Sequence, residues 1–293
     1  MNTRAHVRLC SSALVGAGFP IGLYMTIGNK LIKLQGILNQ MGSVLVAFSG
    51  GTDSAFLLKV ARDILGDKAM AVTAFSDFLP AAELGHARQF AKKLNARHLI
   101  FKFKPTALIW KNPPDRCYYC KRELFSRLLS IARKRRVQYV IDGSNFDDIK
   151  DFRPGRKALL ELKIRSPLQE AGLTKKEIRV LSRGMGLQAW NKPSFTCLAT
   201  RIPYGERITA QKIRMIEEAE LFIRKLGISQ IRLRHHGSIA RIEVAEQDIP
   251  LLVKNRKKIS QKLRRAGFTY IAADLDGYRR GSLIEDVQWK RKK

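Results

Sequence analysis

A glycine turn between an apolar run and an amphipathic segment is the part of the sequence best suited to bind phosphate. It follows residues 44–48 and consists of Ser49, Gly50, Gly51, Thr52, Asp53 and Ser54. Glycines let the backbone approach an anion, and N–H groups converge where a helix begins. Asp53 could hold Mg²⁺ on the phosphates or cap the helix. The alternative is a plain strand-to-helix turn, but the complete six-residue string favours phosphate binding.

Three cysteines form a second candidate site. Cys117 and Cys120 make a C-x2-C pair, and Cys197 lies near the predicted junction of two domains. Three thiolates could share one metal site, and on an iron–sulfur cluster they would leave one iron open for chemistry. Structural zinc would need a fourth ligand, which could be His235 or His236, although no motif supports either. The other alternative is three unrelated core or surface cysteines.

Alternating apolar and periodic segments predict the elements that position these residues. The predicted strands are residues 43–48, 69–75, 98–103 and 137–141. The predicted helices between them are residues 54–65, 80–94 and 118–135. Such alternation predicts right-handed βαβ units, a parallel sheet and ligands at the carboxyl ends of the strands. The fold class is therefore predicted to be α/β.

A second, smaller domain is predicted after Gly205. Its predicted elements are helices 209–226 and 250–266 and strands 230–234, 238–244 and 270–273. This is an α+β pattern of about 80 residues, within the usual range for an independent core. The predicted organisation is an N-terminal extension at 1–27, the main domain at 28–204, the small domain at 205–286 and a basic tail at 287–293.

Composition limits the classes of partner and compartment. The formal charge of +30, from 55 Lys and Arg against 25 Asp and Glu, would attract phosphate-bearing partners and keeps RNA binding among the hypotheses. The basic residues are spread along the whole chain, so a solvated basic surface is the alternative. Four cysteines are too few for a disulfide scaffold, which favours a reducing, cytoplasmic location.

The N-terminal segment is open to two interpretations. Arg4 and Arg8 precede a small-residue and apolar run at 9–24, a pattern typical of signal peptides. A natural start at Met25 or Met41 explains the same segment. If the phosphate bound by the loop belongs to ATP, we expect no export, because that cosubstrate is lacking outside the cell. No later uncharged apolar stretch reaches the roughly 18 residues of a membrane span.

The loop and several later segments together resemble a known family. The string S-G-G-T-D-S resembles the PP-loop of ATP pyrophosphatases and lacks the Gly-Lys-Ser/Thr ending of a Walker A loop. With residues 142–148, 151–155, 197–205 and 240–243, the chain resembles the LarE family of PP-loop sulfur transferases over nearly all of residues 30–286.

The resemblance implies an activity. ATP would adenylate a carboxylate of pyridinium-3,5-biscarboxylic acid mononucleotide, with Asp53 as a catalytic residue and pyrophosphate as the leaving group. A sulfur nucleophile would then displace AMP, and two rounds would give the bisthiocarboxylate on the way to the nickel-pincer nucleotide cofactor of lactate racemase. Family members commonly form hexamers, so a homo-oligomer is expected by analogy.

The resemblance also implies a sulfur source. Some LarE proteins sacrifice a single cysteine, but here Thr196 occupies the corresponding position, beside Cys197. Others carry the three-cysteine pattern seen here as Cys117, Cys120 and Cys197, and bind a [4Fe-4S] cluster whose open iron carries a sulfide. The chain resembles the second kind, so an external sulfide source is expected and the three protein ligands would survive turnover.

Basic residues are expected to bind the anionic substrate. The positions that match the family's phosphate contacts are Thr200, Arg201, Arg232 and Arg234. Alternate residues of one strand face the same side, so Arg232 and Arg234 could converge on one anion, or could form a solvated edge-strand face. Lys121 could assist the leaving pyrophosphate or be an exposed residue in a first helical turn. Glu220 and Glu243 are either substrate contacts or surface charges.

Three other functions compete with this one. A tRNA thiolase is favoured by the charge and disfavoured by the lack of an obvious RNA-binding domain. A non-catalytic nucleotide- or RNA-binding protein is disfavoured by the intact Asp53 and Ser54. An amide-forming PP-loop enzyme such as NAD synthetase would not need three thiols.

Overall fold

The structure, a computed structural model, describes residues 21–149, 154–192 and 196–279. The chain folds into two compact units. Among the described residues, the first unit holds 21–75, Ala81–Phe103, 117–149 and 154–192, and the second holds Ser76–Pro80, Lys104–Arg116 and 196–279. The domain boundaries predicted at 27, 204 and 286 stay predictions.

The first unit is built on a parallel sheet. Its strands are β1 (Val44–Ala47), β2 (Ala69–Phe75), β3 (Arg97–Lys102) and β4 (Tyr139–Ile141). Their order is β3-β2-β1-β4, and all the pairings are parallel, with Val44 opposite both Ala69 and Tyr139. The predicted α/β class is therefore confirmed, and each predicted strand is found within two residues of its expected ends.

Helices flank this sheet in chain order. They are α1 (Ile21–Met41), α2 (Thr52–Leu65), α3 (Ala81–Lys93), α5 (Arg116–Lys134), α6 (Pro154–Glu161), α7 (Pro167–Glu170) and α8 (Lys175–Gly184), while α4 (Ala107–Trp110) lies in the second unit. Val44 and Val46 enter one buried cluster and Leu45 enters another. Because successive strand residues point to opposite faces and both faces are covered, β1 is a continuous apolar run.

Helix α1 was not predicted from the sequence. Ile27, Leu31, Leu34 and Leu38 recur at helical spacing and are buried in the larger core cluster. The apolar leader-like run directly before them has no such helical spacing signal of its own and extends the apolar composition up to α1. The leader's two arginines and residues up to 20 lie outside the described residues.

The second unit contains a small mixed sheet. Its strands β5 (Ile231–His236), β6 (Ile239–Val244) and β7 (Tyr270–Ala273) lie in that order, with β5 antiparallel and β7 parallel to β6. Helix α9 (Ala210–Lys225) precedes them. The predicted single helix at 250–266 is instead two helices, α10 (Ile249–Lys254) and α11 (Arg256–Arg265), which meet at Asn255. In the part of the chain that the structure describes, no helix is long and apolar enough to cross a membrane.

Candidate active site

The phosphate-binding loop connects the end of β1 to the start of α2. Gly50 has a φ of +74°, a conformation that favours glycine, so the turn depends on this residue. The Ser49 and Ser54 hydroxyls lie 3.1 Å apart, and the Ser54 hydroxyl donates to the Gly51 carbonyl at 3.1 Å. These bonds hold the loop closed on itself beside the first turn of the helix.

A second glycine lets the chain after β4 approach this loop. A Cβ added at Gly143 would lie 3.1 Å from the Ser54 nitrogen and 3.2 Å from the Ser54 Cα. Those atoms belong to the backbone of α2 and cannot move away as a flexible side chain would. Gly143 is thus required for the close contact that brings the segment after β4, with Asn145, against the loop.

Asp53 lies in a cluster of charged and polar side chains. The Lys175 ammonium donates to both of its carboxylate oxygens, at 2.7 and 2.8 Å, and the Asn145 amide lies 3.5 Å away. Burial raises the pKa of Asp53, the ammonium of Lys175 opposes that rise, and the nearby carboxylate of Asp148 adds to it. Among the described residues no side chain caps α2, so the capping role suggested for Asp53 is wrong.

Lys175 is held in place by the start of α8. Thr174 caps this helix: its hydroxyl accepts from the Glu177 amide, and the Glu177 carboxylate accepts from the Thr174 amide. The Glu177 carboxylate also accepts from Lys30 of α1 at 2.7 Å. The backbone amide of Lys175 donates to Asp147 at 2.8 Å. The backbone of Lys175 is therefore fixed from two sides.

A second lysine reaches the loop from the other direction. The Lys192 ammonium donates to the Gly50 carbonyl at 3.2 Å and to the Glu83 carboxylate at 2.7 Å. Glu83 lies in the first turn of α3 and is buried. Lys192 therefore connects the loop to α3.

Two of the predicted thiols lie together at the start of α5. Cys117 and Cys120 are half-buried and three residues apart, so they share one face of the helix. Lys121 follows, with its ammonium 3.9 Å from the carboxylate of Asp142, which comes directly after β4. Cys197 is also half-buried, but it belongs to the second unit. Within the described residues, no three His, Cys, Asp or Glu side chains are grouped so that they could hold a metal ion.

The predicted phosphate contacts of the second unit form a buried ion-pair cluster. Arg201 and Glu220 are each 1% exposed and make a two-pronged bond, at 2.8 and 3.1 Å. The same guanidinium donates to the Thr200 hydroxyl at 2.9 Å and to the Thr196 hydroxyl at 2.6 Å. Arg201 thus orders the segment that carries Cys197.

Arg232 and Arg234 lie on the same side of β5 and are buried. Arg234 makes a two-pronged bond to Glu243 and donates to the Thr200 carbonyl at 2.8 Å. Burial, followed by the charge of Arg201, lowers the pKa of Arg232 to about 10. The suggestion of a solvated edge-strand face is wrong, and so is that of surface glutamates at 220 and 243. Burial is the largest cause of that lowered pKa, so Arg232 is a guanidinium in a desolvated position on the second unit's small sheet.

Comparisons with known proteins agree with the motifs. No protein-family model matches the chain. An uncharacterised protein of Synechocystis is 39% identical over 259 residues, which are 87% of this chain and 97% of the relative. The pyridinium-3,5-bisthiocarboxylic acid mononucleotide synthase of Lactiplantibacillus plantarum is 37% identical over 265 residues, 89% of this chain and 96% of the synthase. The chain belongs to the LarE family.

A more distant relative supports the fold of this LarE protein. One subunit of the glutamine-hydrolysing GMP synthase of Sulfurisphaera tokodaii is 22% identical over 256 residues, 81% of this chain and 68% of the relative. Together with the parallel sheet and the loop at its central strand, this likeness confirms the predicted PP-loop fold.

Sequence reasoning missed several residues of the LarE loop site, namely Asn145, Lys175 and Lys192. Lys175 could have been found, because Thr174 and Glu177 have the spacing of a capping box and predict a helix that starts at Lys175. No local pattern marks Lys192 as a loop residue. Its bond to Gly50 joins positions 142 residues apart.

Proposed function

We propose that this LarE protein is an ATP-dependent sulfur transferase that converts the carboxylates of pyridinium-3,5-biscarboxylic acid mononucleotide to thiocarboxylates. The observation that carries the proposal is the near full-length similarity to a synthase named for the bisthiocarboxylate product. The intact loop from Ser49 to Ser54, at the carboxyl end of a central parallel strand, supports the use of ATP.

The first proposed step is adenylation. The loop's backbone N–H groups and the Ser49 and Ser54 hydroxyls would bind the phosphates of ATP, and Asp53 would hold Mg²⁺ on them. A substrate carboxylate then attacks the α-phosphorus, and pyrophosphate leaves. An acyl adenylate is activated toward a sulfur nucleophile, whose attack releases AMP and forms the thiocarboxylate.

The arginine cluster of the second unit is proposed to bind the substrate's phosphate. Arg232 is the strongest candidate, because it is a buried guanidinium on the same face of β5 as Arg234. A guanidinium offers planar N–H donors that match the oxygens of a phosphate. Thr200, Arg201 and Arg234, bonded to one another and to buried glutamates, would hold its surroundings rigid.

Cys117, Cys120 and Cys197 are proposed to hold a [4Fe-4S] cluster. The shared helix face of Cys117 and Cys120 suits two ligands of one cluster. When bound, the cluster would supply an iron-held sulfide from an external source as the nucleophile. The proposed adenylation does not depend on it.

One experiment tests both halves of the reaction. The anaerobically purified protein is analysed for iron and sulfide, then incubated with ATP, Mg²⁺, sulfide and the pyridinium mononucleotide. Mass spectrometry is expected to show mass gains for one and two exchanges of oxygen for sulfur, with AMP and pyrophosphate formed in step. A substrate that keeps its mass while iron and ATP are both bound would overturn the proposal.

Variants separate the two halves. Asp53→Ala is expected to abolish pyrophosphate release without changing iron content, and Asp63→Ala, on the same helix but paired with Lys59, is its control. Cys117→Ala, Cys120→Ala and Cys197→Ala are each expected to lower iron content, whereas Cys10→Ala is not. Iron and sulfur transfer that persist in all three variants would contradict the cluster.

A tRNA thiolase is the second candidate, because the net charge of +30 favours a polyanionic partner. It predicts AMP formation that depends on tRNA and tRNA binding that weakens steeply with salt. AMP formation with the pyridinium nucleotide alone would exclude this candidate.

A further inference from the structure

Lys175 makes a close contact with Asp53, the loop carboxylate of the first unit. Its ammonium lies within 2.8 Å of both carboxylate oxygens of Asp53. The two side chains are 31% and 22% exposed, so the pair opens to solvent rather than lying sealed in the core. The contact is therefore available to a ligand that enters the loop.

The loop needs a cation for the phosphates, and its own residues supply none. Between Ser49 and Ser54 the charged residue is Asp53, a carboxylate. Lys192 reaches the loop, but its ammonium is matched by the buried Glu83 carboxylate at 2.7 Å. Lys175 differs, because its partner is Asp53, the carboxylate that is proposed to hold Mg²⁺ on the phosphates.

The backbone of Lys175 is fixed, but its side chain is long enough to swing. The capping box between Thr174 and Glu177 sets the helix start, and Asp147 accepts from the Lys175 amide. Four methylene groups separate this anchored backbone from the ammonium, so the charge can move by a few ångströms without any movement of α8.

We propose that Lys175 is a catalytic residue of the nucleotide site: its ammonium leaves Asp53 when ATP binds and contacts the phosphate oxygens that depart as pyrophosphate. The inference rests on the proposed use of ATP and adds a residue to it. A bond forms between the substrate carboxylate oxygen and the α-phosphorus. The bond between that phosphorus and the oxygen that bridges the α- and β-phosphates breaks. The electron pair stays on pyrophosphate, where the Lys175 charge stabilises it.

The proposal is tested by comparing ATP and AMP binding to Lys175→Met. AMP lacks the two departing phosphates, so the lost ammonium should weaken ATP binding by about 10- to 100-fold and leave AMP binding within roughly twofold. Pyrophosphate release in a single turnover should fall as well. Lys176→Met, one residue along and exposed, is the matched control and should bind both nucleotides as the unchanged protein does.

Further variants keep the test decisive. Lys175→Arg keeps the charge and should recover part of the preference for ATP over AMP, and it stands in if Lys175→Met does not fold. If Lys175 only neutralises the charge of Asp53, Lys175→Met should change the melting temperature but not the ratio of ATP to AMP affinity. That result would overturn the inference. If the unchanged protein and Lys176→Met neither bind ATP nor release pyrophosphate, the proposed function fails instead.

Discussion

Glu220 provides the sharpest test of the buried arginine cluster, because it lies at the centre of that cluster. It accepts from Arg201 at 2.8 and 3.1 Å, from Arg224 at 2.9 Å and from the Leu233 amide at 3.1 Å. Burial by itself raises its pKa, but Arg201, Arg224 and Arg232 outweigh burial, so the pKa lies below the ordinary value of 4.5. Glu220 is thus ionised at neutral pH.

Glu220→Gln keeps the shape of the side chain and removes the charge. Arg201 would then be buried without its counter-ion, beside an Arg232 whose pKa is already lowered to about 10. Breaking a buried ion pair from one side costs about 3–5 kcal/mol. At roughly 2–4 °C per kcal/mol, the melting temperature should fall by about 6–20 °C.

The measurement is thermal and urea unfolding followed by circular dichroism. The control is Glu218→Gln, the same change on the same helix, because Glu218 is 58% exposed and lies 3.5 Å from Lys262. Exposed ion pairs contribute at most about 1 kcal/mol to stability, so Glu218→Gln should change the melting temperature and the urea midpoint very little. If both variants lose equal stability, the reasoning about the buried cluster is refuted.

Three further predictions concern the loop, a helix cap and acid stability. Gly143→Ala would place a methyl group 3.1 Å from a backbone nitrogen of α2 and should weaken ATP binding in calorimetry, whereas Gly85→Ala, with no atom within 4 Å, should not. Glu177→Ala removes the capping side chain of α8 and should cost about 1 kcal/mol in urea unfolding; an unchanged midpoint would contradict the capping role. Because the pKa of Glu220 is lowered, its stabilisation is full above 4.5 and is lost as the pH falls through the lower folded-state pKa. The stability gap between Glu220→Gln and the unchanged protein should therefore close in acid, and a gap that is constant down to low pH would show that charge is not its cause.

The arginines of β5 illustrate how far local patterns reach. Alternation along the strand predicted that Arg232 and Arg234 share a face, because that depends only on backbone geometry. Whether that face is exposed to solvent or buried depends on residues from elsewhere in the chain. Glu243 on the next strand makes a two-pronged bond to Arg234, and the charge of Glu220 on a preceding helix acts on Arg232; neither interaction has a sequence signature.

Helix α1 illustrates a signal that was present but overlooked. The spacing of Ile27, Leu31, Leu34 and Leu38 predicts an apolar face, yet the preceding leader-like run has a similar composition. Spacing alone does not distinguish an apolar helix that packs in a core from a leader segment that is cleaved off. Its contact with α8, through Lys30 and Glu177, joins positions 147 residues apart.

By itself, the sequence determined the α/β class, the strand positions and the loop from Ser49 to Ser54, because each depends on consecutive residues and on backbone geometry. Tertiary structure alone decided what surrounds that loop. Asp53 meets Lys175 across 122 residues and Gly50 meets Lys192 across 142, contacts that exist only once the helices have packed on the sheet. Charges are balanced in three dimensions, so the charged groups that surround Asp53 could be identified only from its neighbours in space.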